Sequence, residues 1–400
     1  MRRTILSFLA FFGLVLCAVA QNFTTPGIIR ETRGSHRYCG FIKQDGKVVV
    51  RPIYLNAHEF SEGLAAVQDT NKRWGFINTT GKKVFTLPTN VIEVGDFHEG
   101  LCWFRDDDSK KVGYIDRTGK VVIRPQWDYA CDFNDGLAAV GEGRYMWEQM
   151  CQPGHMIGYI DHTGKVVIPV NLADRYGENH KSADFSCGRA ILHDGDRVRI
   201  IDTKGKELFG GKYREAIIYS EGRCSVGVAT NEPCNAEDDD SELPDCKIHW
   251  SVIDTAGNMV LNRSASAFRE GVAYIRLSGG GIHLDENNTV TLTDGDYIFI
   301  DTTGKQIIER HFKAAYCFQE GLAYVTEMDG TKGFIDHAGK MVFKLPEGYT
   351  TYNSGGFKNG MVTIWERTTT NDGRTIYYDE EVRNREGKIL WMDSYTVSFH

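Results

Sequence analysis

The Gly-Lys pairs that punctuate this chain invite comparison with a phosphate-cradling loop, in which four residues separate two glycines and a serine or threonine follows the lysine. In Gly113-Tyr114-Ile115-Asp116-Arg117-Thr118-Gly119-Lys120 five residues separate the glycines and Val121 follows the lysine. That spacing would misplace the ammonium group, and it excludes phosphate chemistry of this kind. No HExxH or GxSxG stands in the sequence, so zinc-protease and serine-hydrolase chemistry have no local signature. Cys234 and Cys246 bracket Glu237, Asp238, Asp239, Asp240, Glu242 and Asp245. A disulfide there would pin a segment too polar to fold by burial, worth roughly 3 kcal/mol in a chain-entropy model. The same carboxylates could hold calcium weakly, since hard cations take clustered oxygen donors. The plain alternative is a solvated acidic loop. With His249, the two cysteines match no four-ligand zinc frame, and neither do Cys151 and His155, so no metal or cofactor is assigned. Trp103, Tyr274 and Tyr324 fall at one position of a recurring strand. Aromatic rings on a regular surface are what saccharides or peptides stack on, which makes these three the ligand-binding candidates, and covering the core is the competing role.

The elements that carry these residues are repeated. The phrase glycine-aromatic-Ile-Asp-x-x-Gly-Lys is clearest at Gly113–Lys120, Gly158–Lys165 and Gly333–Lys340, and anchoring on its isoleucine finds Ile42, Ile77, Ile115, Ile160, Ile201, Ile253, Ile300 and Ile335. These define eight units, with a degenerate ninth near Gly387-Lys388. The pairs Asp116 and Gly119, Asp161 and Gly164, and Asp336 and Gly339 have the preferences of a hairpin turn. The aspartate bonds the turn amides and the glycine accepts a left-handed backbone. β-Branched and aromatic runs flank each turn, and a third run follows a second phrase, aromatic-x-acidic-Gly-Leu-Ala-x-Val, as at Phe133–Val140. Three strands per unit and almost no helix signal make the chain all-β. In the third strand the residue after the leucine position is always small (Ala65, Cys102, Ala138, Ala190, Cys224, Ala273, Ala323, Val362), which marks a close approach between units. The next position varies from alanine to tryptophan, so that face is read as the freer one.

The bulk properties fit one elongated repeat domain. The chain carries 46 basic and 54 acidic side chains, and no basic stripe of the kind nucleic acid requires. Arg2 and Arg3, an apolar run from Ile5 to Ala20 and Ala18-Val19-Ala20 before Gln21 read as a secretory signal over residues 1–20, leaving no membrane span after cleavage. A segment at 21–36, eight units over 37–376 and a degenerate ninth with a tail over 377–400 complete the organisation.

Phrases such as Trp74-Gly75-Phe76-Ile77-Asn78-Thr79-Thr80-Gly81-Lys82, preceded by Phe60–Val67, resemble the WG-repeat family from about Arg37 to Lys388. Arg199, Ser251 and Ile298 replace the glycine of the phrase in three units. The resemblance implies a β-rich scaffold for binding or display, with no shared catalytic residues. The expected architecture is an open solenoid or superhelical array of β-hairpin repeats, because the worn ninth unit and uneven insertions suit an open end, with a closed β-propeller as the alternative. The expected function is a non-enzymatic, exported scaffold (secreted, periplasmic or on the cell surface) that contacts a protein or glycan. A hydrolase assembled between repeats and a calcium-dependent structural module are the rivals.

Overall fold

The structure is a computed structural model that describes residues 25–142, 156–173, 183–194, 197–229, 248–279, 282–284, 290–292, 295–351, 356–369 and 375–398. The expected signal at 1–20, the acidic run and the Cys234–Cys246 pair lie outside these residues. Among the described residues the one helical element is a single turn, Phe209–Gly211, and no helix is long and apolar enough to cross a membrane.

Strands form where the repeat phrases place them, and they pair antiparallel throughout. The third sheet is representative, with Val91–Val94, Leu101–Asp106, Val112–Asp116 and Val121–Trp127 in sequential order. A turn at Asp116 closes its outer hairpin. Gly119 N–H donates to Asp116 O at 2.9 Å, Asp116 Oδ1 accepts from Thr118 N at 2.9 Å and Lys120 N at 3.1 Å, and Gly119 sits at φ 85°. The glycine that opens the phrase has a different task. A Cβ on Gly113 would lie 2.5 Å from Ile123 O, where the outer strand bulges across it between Val112↔Trp127 and Tyr114↔Ile123. Where arginine stands instead, at Arg199, outer-strand pairing runs no further than Ile200↔Leu208; with Ser251 it stops at Val252↔Leu261. The missing glycines of the phrase therefore mark shortened outer strands.

Among the described residues eight such sheets follow one another, seven of three or four strands and one of six, with a small hairpin sheet, Ile282–Leu284 and Val290–Leu292, inserted in the six-stranded one. The six-stranded sheet carries two repeat units joined through the single pair Tyr297↔Phe312, so nine copies of the turn occupy eight sheets. Most of the sheets also have a strand that the sequence pattern did not reveal, the three-stranded ones excepted. It is the innermost one, only two residues long at Asn56–Ala57, Tyr129–Ala130 and Glu215–Ala216.

The sheets pack face to face and close into a ring, which corrects the expectation of an open solenoid. Residues some 360 positions apart meet at the seam: Asp393 accepts from Thr32 N–H and Thr32 Oγ1 at 3.0 Å each, and Trp391 Nε1 donates to Arg30 O at 2.7 Å. Arg37 joins the buried carboxylates of Glu380 (2.7 Å) and Asp393 (3.2 Å), while Ile29, Ile42, Met361 and Val382 form a shared apolar cluster. The architecture is a β-propeller. The worn end misled because closure is made by long-range side-chain contacts that leave no local pattern.

Ring packing also corrects the idea of a freer strand face. Ala65 is 1% exposed in a cluster shared with the first sheet, and Ala66, next to it, is 1% exposed in one shared with the third. A sheet between two neighbours has no open side, so alternation selects which neighbour a residue meets rather than core against solvent.

Small-angle scattering of residues 21–400 should give a compact, nearly isotropic profile; an elongated one would refute the closed ring. Gly119→Val should lower stability by about 1–3 kcal/mol, measured by urea melts, because it forces a β-branched residue to positive φ and sets a Cβ 2.7 Å from the Phe85 ring.

Candidate functional site

The residues that recur with the most consistent geometry stand at the axial end of each sheet, where the innermost strand turns into the second. Ser61 and Leu64 exchange backbone hydrogen bonds around Glu62 (φ 49°) and Gly63 (φ 78°), a two-residue turn with both central residues left-handed. The acidic residue of each turn reaches the next unit. Glu62 Oε2 accepts from Gly100 N at 3.1 Å, Glu99 Oε2 from Gly136 N at 3.0 Å, and Asp135 Oδ2 from Gly188 N at 2.7 Å. The series continues with Glu221 to Gly271 (2.8 Å), Glu270 to Gly321 (2.9 Å) and Glu320 to Gly360 (2.8 Å). It ends at the seam, where Asn359 Nδ2 donates to Pro26 O at 3.5 Å. In one unit a thiol takes the carboxylate's place: Gly222 N–H points at Cys187 Sγ, 3.2 Å away.

The outer turns lean onto this ladder. Arg117 pairs with Glu62 at 3.4 Å, His162 Nε2 with Glu99 at 3.1 Å and His337 Nε2 with Glu270 at 3.3 Å. His162 and His337 also stack on Phe133 and Phe318, with ring centroids 4.4 and 4.1 Å apart. Both sets of turns therefore share one end of the propeller. Sequence reasoning saw the acidic-glycine step only as the start of a strand. The signal was present in its strict spacing, but what the acid bonds to lies one unit away.

The residues singled out from the sequence are placed as follows. Asp116, Asp161 and Asp336 each bond the amides two and four residues on through Oδ1, and Gly119, Gly164 and Gly339 take φ of 85°, 84° and 76°. Trp103, Tyr274 and Tyr324 occupy equivalent positions in three different repeat units, the last two in the two units of the six-stranded sheet, and the structure does not bring them together. Trp103 and Tyr274 pack half-buried on the clusters they share with the following unit, and Tyr324 is 5% exposed against Tyr316 and Phe334. Burial pushes the Tyr324 hydroxyl up to about 12 and raises that of Tyr274. Cys102 and Cys224 fill the small-residue position with free thiols aimed at Gly95 O and Ile217 O, and burial raises Cys224 to about 12, far from a reactive thiolate. Among the described residues no three His, Cys, Asp or Glu side chains converge to hold a metal ion, and no disulfide forms.

This geometry defines the class of the protein: a β-propeller whose units are clasped by turns at one axial end. Four segments of it match a known repeat. The model of the WG containing repeat matches residues 40–72, 113–143, 157–171 and 299–330, so the resemblance seen in the sequence is borne out at four segments. Among solved structures the chain is similar to BamB from Moraxella catarrhalis, with 12% identity and a TM-score of 0.39 over 86% of this chain and 96% of that one. It is also similar to KlHsv2 with loop 6CD replaced by a Gly-Ser linker (9%, 0.31, 85% and 96%). A third similarity is to the hydrazine synthase of Kuenenia stuttgartiensis (10%, 0.29, 84% and 92%). No curated protein matches.

The turn aspartates predict a pH dependence. The Thr118 hydroxyl first, then the turn amides, hold the Asp116 carboxyl below its ordinary 3.8, and Thr163 and Thr303 do the same for Asp161 and Asp301. A carboxyl depressed by folding stabilises above its unfolded pKa and loses that contribution as pH falls through the folded one. Urea midpoints should therefore stay level near neutrality and drop from about pH 4 downward. Asp116→Asn should reduce the acid loss while keeping the turn, because Asn78 already makes the same bonds to Thr80 and Lys82.

Proposed function

We propose that the chain is a non-enzymatic scaffold, exported to the cell envelope or beyond, whose propeller end binds a protein or glycan by several equivalent contacts at once. The fold is consistent with an interaction scaffold, and one observation supports the finer reading. The outer turns repeat around the same end of the ring, and after the turn glycine they carry the exposed lysines Lys47, Lys82, Lys120, Lys165, Lys206, Lys305, Lys340 and Lys388. A ligand with repeated acceptor groups can meet several of these lysines together. Linked weak contacts then raise affinity through effective concentration, without any single deep pocket. The carboxylates and rings nearer the axis are engaged in holding the units together, which leaves these ammonium groups as the regular solvent-facing chemistry. Export draws its support from the charged start, apolar run and Ala18-Val19-Ala20.

The protein without its leader, used as bait against native envelope and extracellular material, should retain a partner. The triple variant Lys120→Ala, Lys165→Ala, Lys340→Ala should lose most of that retention at an unchanged melting temperature. Undiminished capture by the variant would sink the multipoint reading, and turnover in a broad hydrolase screen would replace it with the enzymatic one.

A further inference from the structure

The open edge of a sheet is a hazard, because its unpaired backbone N–H and C=O groups can pair with any strand that meets them. Proteins blunt such edges with prolines, bulges, charges or short strands. Among the described residues every outer strand of the ring but one is blunted in this way. Val48–Tyr54, Val121–Trp127 and Val166–Ala173 contain Pro52, Pro125 and Pro169, and each bulges across the glycine of its phrase. Lys83–Thr86 and Met341–Lys344 have four residues, Met259–Leu261 three and Glu207–Leu208 two. One unit of the six-stranded sheet makes only the isolated bridge Ile300↔Gln306.

The outer strand of the last sheet, Ile389–Ser398, is the exception. It has ten residues with no proline, lysine or arginine, and it pairs with Thr375–Asn384 without a break from Thr375↔Ser398 to Val382↔Trp391. No described strand lies on its other side. Its one charged residue, Asp393, turns inward, where it accepts from Thr32 and meets Arg37. Trp391 reaches Arg30 O, and the Arg37 guanidinium covers the Tyr395 ring. Alternate side chains therefore fasten the strand to the first sheet. Met392, Ser394 and Thr396 fall on the opposite face and are exposed, Met392 to 58%. The edge is long, regular, uncharged on its open face and held in place beforehand.

We infer that this edge pairs antiparallel with the same strand of a second copy of the chain, so that two four-stranded sheets, four and four, become one of eight. Symmetry restricts the register. A two-fold axis perpendicular to the sheet keeps each side chain on its own face and sets the residue at the axis opposite itself. With Asp393 at the axis, two like charges would face each other. With Ser394 there, Met392 faces Thr396 of the second copy and Trp391 faces Val397 of the second copy, so every contact on the exposed face is between uncharged side chains. Such a contact is isologous and closed, and it stops at a dimer. It uses none of the outer-turn lysines, so it stands or falls apart from the scaffold reading.

Analytical ultracentrifugation of residues 21–400 should show a monomer–dimer equilibrium in the micromolar range, since one pair of strands makes a small interface. In the double variant Met392→Lys, Thr396→Lys, lysines of the two copies would face each other at both symmetric contacts. Association should weaken by roughly tenfold or more, the scale of two like-charged cross-strand pairs. Met392→Lys with Thr396→Glu sets opposite charges at the same contacts and should dimerise at least as well as the parent. Both positions are exposed, and circular dichroism and melting curves report that each variant folds. A chain that stays monomeric to about 200 µM, far above the range of even a weak specific interface, would overturn the pairing. So would undiminished association of the like-charged variant, or an opposite-charged variant as weak as the like-charged one. A monomer that instead retains an extended segment of another protein, and loses it in the like-charged variant, would give the edge to that partner and overturn self-pairing as well.

Discussion

The structure depends on a close approach repeated around the ring, in which the glycine of each outer turn lies against the outer strand of the unit before it. A Cβ on Gly81 would meet Val50 at 2.7 Å, on Gly119 Phe85 at 2.7 Å, on Gly164 Ile123 at 3.2 Å and on Gly205 Ile168 at 3.0 Å. The later units repeat the contact, Gly257 with Phe209, Gly304 with Leu261, Gly339 with Ile308 and Gly387 with Phe343. The first unit completes the circle, since Gly46 faces Leu390 of the last at 3.8 Å. The glycine is therefore demanded twice at each step, by the positive φ of a three-residue hairpin loop and by the neighbour's side chain. A contact of this kind fixes the angle between consecutive sheets. A fixed angle that returns to its origin after the last unit is what makes a ring.

The axial ladder acts at the other end of the same lever. A carboxylate accepting a backbone N–H from the next unit ties the inner ends of two sheets, while the turn glycine seats their outer ends. Apolar clusters fill the space between, as with Tyr114 and Trp127 of one sheet against Phe133 and Val140 of the next. Tyr114 adds a bond from its hydroxyl to Cys131 O at 2.8 Å, and Tyr159 repeats it to Ala183 O at 2.7 Å. Polar groups and apolar bulk thus serve one geometry, and departures stay local. Cys187 keeps the ladder contact with a softer acceptor, and Arg199 or Ser251 shortens an outer strand without opening the ring.

Local chemistry was legible in the sequence and long-range closure was not. The turn at Asp116 to Gly119 could be read because its residue preferences act within four positions, and the flanking strands because β-branched and aromatic side chains recur beside it. The innermost strand escaped because two residues such as Asn56-Ala57 carry no alternation to detect. The strand faces were misjudged for a different reason. A variable position normally signals exposure, but here Ala66, Trp103, Ala139 and Tyr324 vary because each was fitted to a different neighbour across a packed interface. The partner of Glu62 is Gly100, 38 residues along, and no spacing rule within one unit reports it.

Closure also carries a cost that the seam makes visible. A propeller can lock its ring by completing one sheet with strands from both chain ends, so that backbone hydrogen bonds join first and last units. Here the first and last sheets stay separate, and the join is made by Asp393, Trp391, Glu380 and Arg37. Two buried carboxylates and a guanidinium must be desolvated to form it, and such a cluster holds only when each buried charge has a partner. Arg37 bridges both acids and lies 4.3 Å over the Tyr395 ring, so each carboxylate has a cationic partner and the cation is also covered by an aromatic face. A join made by side chains ties fewer backbone groups than a strand would. Among the described residues the inner edge of the first sheet, Gly27–Arg33, has no strand to cover it, which is the physical reason that Trp391 and Asp393 bond its backbone at this seam.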